Sequence, residues 1–304
     1  MEAGAAMALS ETFTARRTTL WAELAVLGVA LVWGASYPVA KGALDYMPVL
    51  VLIFYRFALT ALVLGVLAFR DLRAAQRGEL VAGTLLGAIL CAIFLAETWG
   101  VSMTSATNAA LIISLCTIFT PFLEFGLQRR LPPAAVLLGA VVAVTGVAVL
   151  SGGMGALEVG DLLVLCAAGL RAVMVVSTKR LMAGSRLSSA ALTAVQAATV
   201  AGLTLMLILG GSGPSGLVVR ADAAGFAAVA FLSLFCTIGA FYVQNAAVRR
   251  SSPTRVGFLM GTEPLFGVAL AWALLSEPLT PAALAGATLI VAGTFLGLRG
   301  GKQA

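Results

Sequence analysis

Residues 22–41 read AELAVLGVALVWGASYPVAK, and residues 160–179 read GDLLVLCAAGLRAVMVVSTK. At an offset of 138 the two stretches superpose Glu23 on Asp161, Trp33 on Arg171 and Lys41 on Lys179, two of the chain's three lysines. An offset of 147 aligns later stretches, with Phe94 on Phe241, Glu97 on Gln244, Phe119 on Phe266, Gly139 on Gly286 and Gly146 on Gly293. The nine extra residues fall in the polar segment 210–222. Apolar helices resemble each other cheaply, but here charged, aromatic and glycine positions coincide together. The second half of the chain therefore repeats the first.

Composition decides the solvent. With 61% hydrophobic and 11% charged residues and a mean hydropathy of +1.04, the chain cannot cover a water-soluble surface. A bilayer core of about 30 Å takes about 20 apolar residues per helix, because every backbone amide must find its partner inside the span. Ten such stretches are expected, near 22–40, 48–69, 79–100, 105–127, 133–151, 161–179, 188–209, 223–247, 254–275 and 281–298. The loops between them leave no room for a soluble domain. The expected fold is an all-α polytopic membrane protein of two five-helix repeats, 20–152 and 157–300.

The net charge of +6 reads as membrane orientation rather than nucleic-acid binding. With a cytoplasmic amino terminus, the inner segments hold Arg16, Arg17, Arg70, Arg73, Arg77, Arg129, Arg130, Lys179, Arg180, Arg186, Arg249, Arg250, Arg255, Arg299 and Lys302. These are 15 of the 19 basic residues. Both termini are then cytoplasmic. Five spans per half turn the second repeat upside down, so Lys41 faces outward and Lys179 inward. That is the pattern of an inverted-topology repeat, whose substrate site lies near the midplane between the halves. Arg16 and Arg17 before an apolar run also resemble a secretory leader. The length of that run, its Trp33 and Pro38, and its counterpart in the sixth span favour a retained span. Cys91, Cys116, Cys166 and Cys236 lie within expected helices without ligand spacing and read as small apolar fillers.

Several short motifs carry a family resemblance. They are Trp33-Gly34-Ala35-Ser36-Tyr37-Pro38 leading to Lys41, Tyr55-Arg56-Phe57, Thr104 to Ala110, and Phe119-Thr120-Pro121. In the second half they are Gly160-Asp161-Leu162-Leu163, Lys179-Arg180, Glu263-Pro264-Leu265-Phe266 and Ser276-Glu277-Pro278-Leu279. In order and spacing the chain resembles the drug/metabolite transporter superfamily, in particular its ten-span members built from two EamA-type domains. The resemblance covers about residues 20 to 300. It implies a secondary transporter working by alternating access in a bacterial inner membrane, with small metabolites as cargo. Export of amino acids, aromatic or broadly neutral, is the leading expectation; drugs, sugars and nucleotide derivatives are the alternatives. Two positions depart from the family pattern: Arg171 replaces an aromatic in span 6, and Arg129-Arg130 replace an acidic residue after span 4.

Polar groups at membrane depth locate the candidate pathway, since a charge at a helix centre costs about 2.5 to 3.5 kcal/mol on insertion scales. Phe94, Glu97 and Thr98 share one face of span 3, and their repeat mates Phe241, Gln244 and Asn245 share one face of span 8. These faces either flank a central cavity or join helices through hydrogen bonds. Arg171 cannot lose its charge and needs an anionic partner, either a substrate carboxylate or one of Glu97, Glu124 and Glu263. Arg56 reads as structural, near the packing surface of spans 1 and 2. Trp33 and Tyr37, one turn apart, offer a binding wall or helix packing, and Asn108 opens span 4. Pro38, Pro121 and Pro264 raise the question of bent helices lining a cavity. Trp99 reads as an interface anchor. Glu97 and Glu263 are the intramembrane carboxylates able to carry a proton.

Small-residue spacings at Gly83/Gly87, Gly139/Gly146, Gly257/Gly261, Gly286/Gly293 and Gly293/Gly297 suit close helix contact. Their symmetry in spans 5 and 10 fits either a homodimer surface or a scaffold within one chain. No cofactor and no metal are expected. A membrane-embedded lipid or isoprenoid enzyme is the runner-up, but no aspartate cluster, Ser/His arrangement or long loop supports one. The expected partners are a small-molecule substrate and the lipid bilayer, with no nucleic acid.

Overall fold

The computed structural model describes residues 24–150, 157–219, 222–250, 256 and 259–301. Arg16, Arg17, Glu23, Arg220, Arg255, Gly257 and Lys302 lie outside the described residues, as do the side chains of Arg249, Arg250 and Arg299. Everything with regular structure among the described residues is helical. In chain order the helices are α1 (Leu24–Ala43), α2 (Val49–Leu67), α3 (Phe69–Ala74), α4 (Arg77–Met103), α5 (Ala106–Ile113), α6 (Cys116–Leu127) and α7 (Ala134–Leu150). After them come α8 (Val159–Leu181), α9 (Ser189–Ser212), α10 (Ala223–Ser233), α11 (Ala240–Arg250), α12 (Glu263–Leu275) and α13 (Pro281–Gly301). Seven helical stretches are long and apolar enough to cross a bilayer: α1, α2, α4, the α5–α6 pair, α8, α9 and the α10–α11 pair. Three shorter apolar helices follow the same character at Ala134–Gly146, Glu263–Leu275 and Pro281–Gly297.

Polar side chains at the turns start the helices. A helix leaves its first amides without partners, and side-chain oxygens satisfy them. Ser105, Ser188 and Asp222 accept from the backbone N–H groups of Asn108, Ala191 and Gly225. Reciprocal capping boxes open α4 (Gln76 with Glu79) and α8 (Glu158 with Asp161). Glu79 also accepts from the Ser185 hydroxyl at 2.6 Å and from the amides of Arg186 and Leu187. Gly184, at φ +74°, lets the α8–α9 turn aim those groups at it.

Three apolar runs are interrupted. The α5–α6 pair breaks at Ser114-Leu115, and α12 is preceded by a turn at Gly261-Thr262. These two turns are repeat mates at the offset of 147. Between α10 and α11 lies one π-helical stretch, Leu234–Gly239, where the Thr237 hydroxyl donates to Leu232 O, five residues back. The prolines do not account for these interruptions directly. Pro38 lies inside the continuous α1 and Pro121 inside α6, while Pro264 occupies the first turn of α12, where a missing amide costs nothing.

Equivalent residues of the two halves make equivalent contacts. The Lys41 ammonium donates to Val101 O at 3.3 Å, and Lys179 donates to Val248 O at 3.4 Å. Lys41 and Lys179 are mates at offset 138, and Val101 and Val248 are mates at offset 147. The glycine faces behave alike. α7 and α13 run antiparallel in close contact: a Cβ on Gly139 would meet Gly293 O at 2.4 Å, and one on Gly146 would meet Gly286 O at 2.7 Å. Exchanging each glycine for its mate converts the first contact into the second. These glycines meet one another within one chain. Gly83 and Gly87 fit α4 against Val195 and Thr199 of α9 in the same way.

A side chain at Gly139 has nowhere to go but into the α13 backbone, whereas a Cβ at Gly65 of α2 meets nothing within 4 Å. Gly139→Leu is expected to lower thermal stability in detergent by an overpacking penalty of at least about 1–3 kcal/mol. Gly65→Ala, which removes a flexible residue from a helix interior, should leave stability unchanged or slightly raised. Equal melting behaviour of the two variants would contradict the close α7–α13 contact.

Candidate functional site

At the centre of the helix bundle, four elements bring ionisable groups together. Arg171 of α8 forms an ion pair with Glu97 of α4, Nη2 to Oε2 at 2.8 Å, and a second with Glu263 of α12 at 3.6 Å. The Tyr37 hydroxyl of α1 donates to the other Glu263 oxygen at 2.5 Å. Tyr37, Glu97 and Glu263 are buried, Tyr37 at 1% exposure, and Arg171 is partly buried, its side chain 13% exposed. A guanidinium in such surroundings is costly unless paired, and two carboxylates bracket this one. Glu263 has a further source of stabilisation as the first residue of α12, where the partial positive charge of the helix amino end favours an anion.

Aromatic rings close the other side. The Arg171 guanidinium lies 4.9 Å from the Trp33 ring centroid, within cation–π range. Trp33 is 5.2 Å from Phe241, and Phe94 is 6.2 Å from Phe241. Two of these contacts join a residue to its own repeat mate: Trp33 with Arg171, and Phe94 with Phe241. The cluster therefore lies where the two halves of the chain meet.

The π-helical stretch is wired into the same region. A π turn leaves a carbonyl without its usual helical partner. Cys236 O accepts from the Trp33 indole N–H at 2.8 Å and from Arg56 Nη2 at 3.4 Å, while Arg56 Nε donates to the Thr237 hydroxyl at 2.7 Å. The Arg56 guanidinium also lies 4.6 Å from the Phe94 centroid. Arg56 therefore anchors α2 to the α10–α11 junction and shares the Cys236 carbonyl with Trp33 of α1, a structural role as expected.

The structure thus brings together Trp33, Tyr37, Phe94, Glu97, Arg171, Phe241 and Glu263. The other candidates lie elsewhere or are otherwise engaged. Thr98 is buried beside Glu97 without a bond to the cluster. Gln244 faces Met260, Nε2 to Sδ at 3.7 Å, and Asn245 donates to Thr193 of α9 at 2.9 Å, a helix-joining bond. Of the three carboxylates considered for Arg171, Glu97 and Glu263 pair with it and Glu124 does not. Trp99 is partly exposed on the outside of α4, as an interface anchor requires.

Asn108 belongs to a separate opening at the Lys41 end of the bundle. There a cavity of about 630 Å³ is lined by Lys41, Thr104, Thr107, Asn108, Glu158 and Glu277, among others. Lys41 caps the carbonyl end of α4, donating to Thr104 O as well as Val101 O. Asp161 accepts from the Thr104 hydroxyl at 2.6 Å and from the Asn108 amide at 3.4 Å. Glu277, on the α12–α13 loop, accepts from the amides of Ala106 and Thr107 and from the Thr107 hydroxyl at 2.9, 3.0 and 2.7 Å. A carboxylate from the second half thus caps a helix of the first. Sequence reading had placed Glu277 in a motif without giving it a partner, because the cap spans 170 residues.

The fold and sequence have relatives. A solved structure superposes on 93% of this chain and 98% of its own length with a TM-score of 0.71 at 18% sequence identity, a likeness of fold. The chain is 29% identical over 146 residues to a protein of Archaeoglobus fulgidus named uncharacterized transporter, a match to 48% of this chain and 45% of that relative, less than half its length. It is 29% identical over 288 residues, 90% of this chain and 93% of the relative, to a protein of Salmonella typhimurium (strain LT2) named probable amino-acid metabolite efflux pump. The EamA-like transporter family matches twice, over residues 20–152 and 158–299. With both halves matched, the chain belongs to the EamA-like transporter family and is a multi-pass membrane transporter rather than an enzyme.

Proposed function

We propose that the protein exports amino acids, aromatic or broadly neutral, by alternating access around the Arg171 cluster. Ten spans in a 5+5 inverted arrangement form the carrier, with the three shorter apolar helices completing the set. The inner membrane is its location and both termini are cytoplasmic, in keeping with the distribution of basic residues. The observation that carries this reading is the meeting of repeat mates, Trp33 on Arg171 and Phe94 on Phe241, beside a buried ion pair. A carrier that alternates by exchanging the conformations of its halves holds its substrate where those halves meet. The name of the Salmonella typhimurium relative, which aligns along nearly its whole length, supports the cargo class.

The chemistry of the cluster suits such cargo. A guanidinium presents a planar fork that matches a carboxylate with two hydrogen bonds. Trp33 offers ring surface to an ammonium or an apolar side chain, and Phe94 and Phe241 add apolar wall. The cargo carboxylate takes the position that Glu97 and Glu263 hold in the closed cluster. Glu97 and Glu263 are also the candidates for any proton coupling, while Thr98, Gln244, Asn245 and Asn108 border the path. The Lys41-end cavity serves as the outer vestibule, and the Glu277 cap holds its wall.

Liposomes containing the purified protein are expected to show saturable uptake of a radiolabelled amino-acid panel above empty liposomes. No flux for any amino acid, in protein shown to be folded, would redirect the cargo to sugars, nucleotide derivatives or drugs. Arg171→Ala should reduce transport of carboxylate-bearing cargo by at least about tenfold, the loss of one charge-assisted hydrogen-bonded contact, while folded yield falls less. Proportional loss of yield and transport would make Arg171 a structural residue only. Glu277→Gln retains the shape of the cap but weakens its hold on the α5 amides. It is expected to change the maximal rate more than the half-saturating concentration, which stopped-flow or initial-rate uptake separates.

A further inference from the structure

Four formal charges meet at the centre: Arg171, Glu97, Glu263 and, behind the Phe94 ring, Arg56. They sum to zero. Electrostatic interaction links Arg56 to both Glu97 and Arg171 across that ring. The other titratable groups facing the cluster are Tyr37, Cys116 and Cys236, which in their ordinary forms carry no charge near neutral pH. The centre is therefore electrically balanced, and a cargo whose carboxylate takes Arg171 must leave that balance intact or be compensated.

The two carboxylates are not equally held. Glu263 keeps the Tyr37 hydroxyl and the amino end of α12 when Arg171 turns away. Glu97 has Arg171 as its sole hydrogen-bond donor among the described residues. When a cargo carboxylate takes Arg171, Glu97 is the group left facing a low-dielectric interior without a partner.

We propose that cargo replaces the Arg171–Glu97 ion pair charge for charge, so that a zwitterionic amino acid crosses without a proton and a monoanionic cargo crosses with one proton carried on Glu97. The inference rests on the reading that Arg171 receives a cargo carboxylate. A zwitterion brings both halves of the replacement: its carboxylate binds Arg171, and its ammonium binds Glu97 and the Trp33 face. An anion lacking the ammonium adds one negative charge. Glu97 then takes one proton from the aqueous phase open to the site, its carboxylate becoming a carboxylic acid. When the cargo leaves, Arg171 returns to Glu97 and that proton is released to the same side. Transport is electroneutral in both cases, and Arg171, where the family pattern has an aromatic, is what makes it so.

Phenylalanine and N-acetylphenylalanine separate the two cases, because acetylation removes the ammonium and keeps the carboxylate. Protein-dependent initial rates are measured in liposomes, with empty liposomes subtracted, under a 100 mV potassium diffusion potential or a pH gradient. A carrier moving one net charge would feel about a 50-fold bias at 100 mV. The expected result is phenylalanine flux unchanged within about twofold by either gradient, and N-acetylphenylalanine flux driven by the pH gradient but not by the potential. Glu97→Gln should convert N-acetylphenylalanine flux from pH-driven to potential-driven. The wild-type measurements decide the matter alone if that variant does not fold. Potential-driven flux of either compound in the wild type, or pH-driven phenylalanine flux, overturns the inference and leaves the cargo reading standing. Phenylalanine flux with N-acetylphenylalanine excluded overturns the proton step. Absence of protein-dependent flux for both overturns the cargo reading and this inference with it.

Discussion

A guanidinium that cannot lose its charge sits in the middle of an apolar bundle, and the surrounding helices are arranged to accommodate it. Arg171 pairs with two carboxylates, one from α4 and one from α12. Glu97 reaches it because Gly100 lets α4 approach α8 closely: a Cβ there would meet Gly160 O at 2.9 Å. Glu263 reaches it because the chain turns at Gly261-Thr262 and begins α12 at that depth, placing a carboxylate on a fresh helix end. Gly34 of α1 then fits against Glu263 O and Gly267 N, which brings Tyr37 within reach of the same carboxylate. Small residues thus act at the site indirectly, by setting how near the charged side chains come.

The same arrangement explains why rigid and adjustable contacts occupy different regions. The α7–α13 contact consists of backbone against backbone, with glycine carbonyls where side chains would otherwise stand. Such a surface has one fitted position. Around the cluster the contacts are long side chains, ring faces and single hydrogen bonds, each able to change partner at a cost comparable to one bond. The α5–α6 break also lies close to the charges, since Cys116, just after the Ser114-Leu115 turn, interacts electrostatically with both Arg171 and Glu263. A closely fitted pair of helices thus stands apart from a centre held by single side-chain contacts.

Much of this was legible in the sequence, for identifiable reasons. The seven long apolar stretches were readable because bilayer thickness dictates helix length, and the Lys41–Val101 and Lys179–Val248 bonds follow the two offsets seen in the repeat. Arg171's need for an anionic partner followed from charge alone, which left Glu97, Glu124, Glu263 and a substrate carboxylate as candidates. The interruptions were not legible. In a run apolar on every side, a π turn shifts the register by one residue without changing the pattern, so Leu234–Gly239 left no trace. The Ser114-Leu115 turn has no proline or glycine to mark it, and the nearby Pro121 lies inside α6. Asn245 and Gln244 looked like a second polar face because their mates are Glu97 and Thr98. Yet Asn245 spends its amide on Thr193, a bond between helices that no single-helix pattern contains.

The divergence of the two halves where mated residues meet has a physical cause. Where a residue touches its own mate, an ionised side chain repeated faithfully would face a like charge. Two arginines at the 4.9 Å separation seen between the Arg171 guanidinium and the Trp33 ring would repel by about 3 kcal/mol at an effective dielectric of 20. Placing tryptophan opposite arginine turns that repulsion into a cation–π attraction. Each carboxylate likewise stands against an uncharged mate, Glu97 against Gln244 and Glu263 against Cys116. A charged centre where mated residues meet is thus built by breaking the likeness of the halves in pairs, with Arg171 against Trp33 as the third. These unlike pairs stand at mated positions of this chain, where a wholly uncharged centre would have needed none.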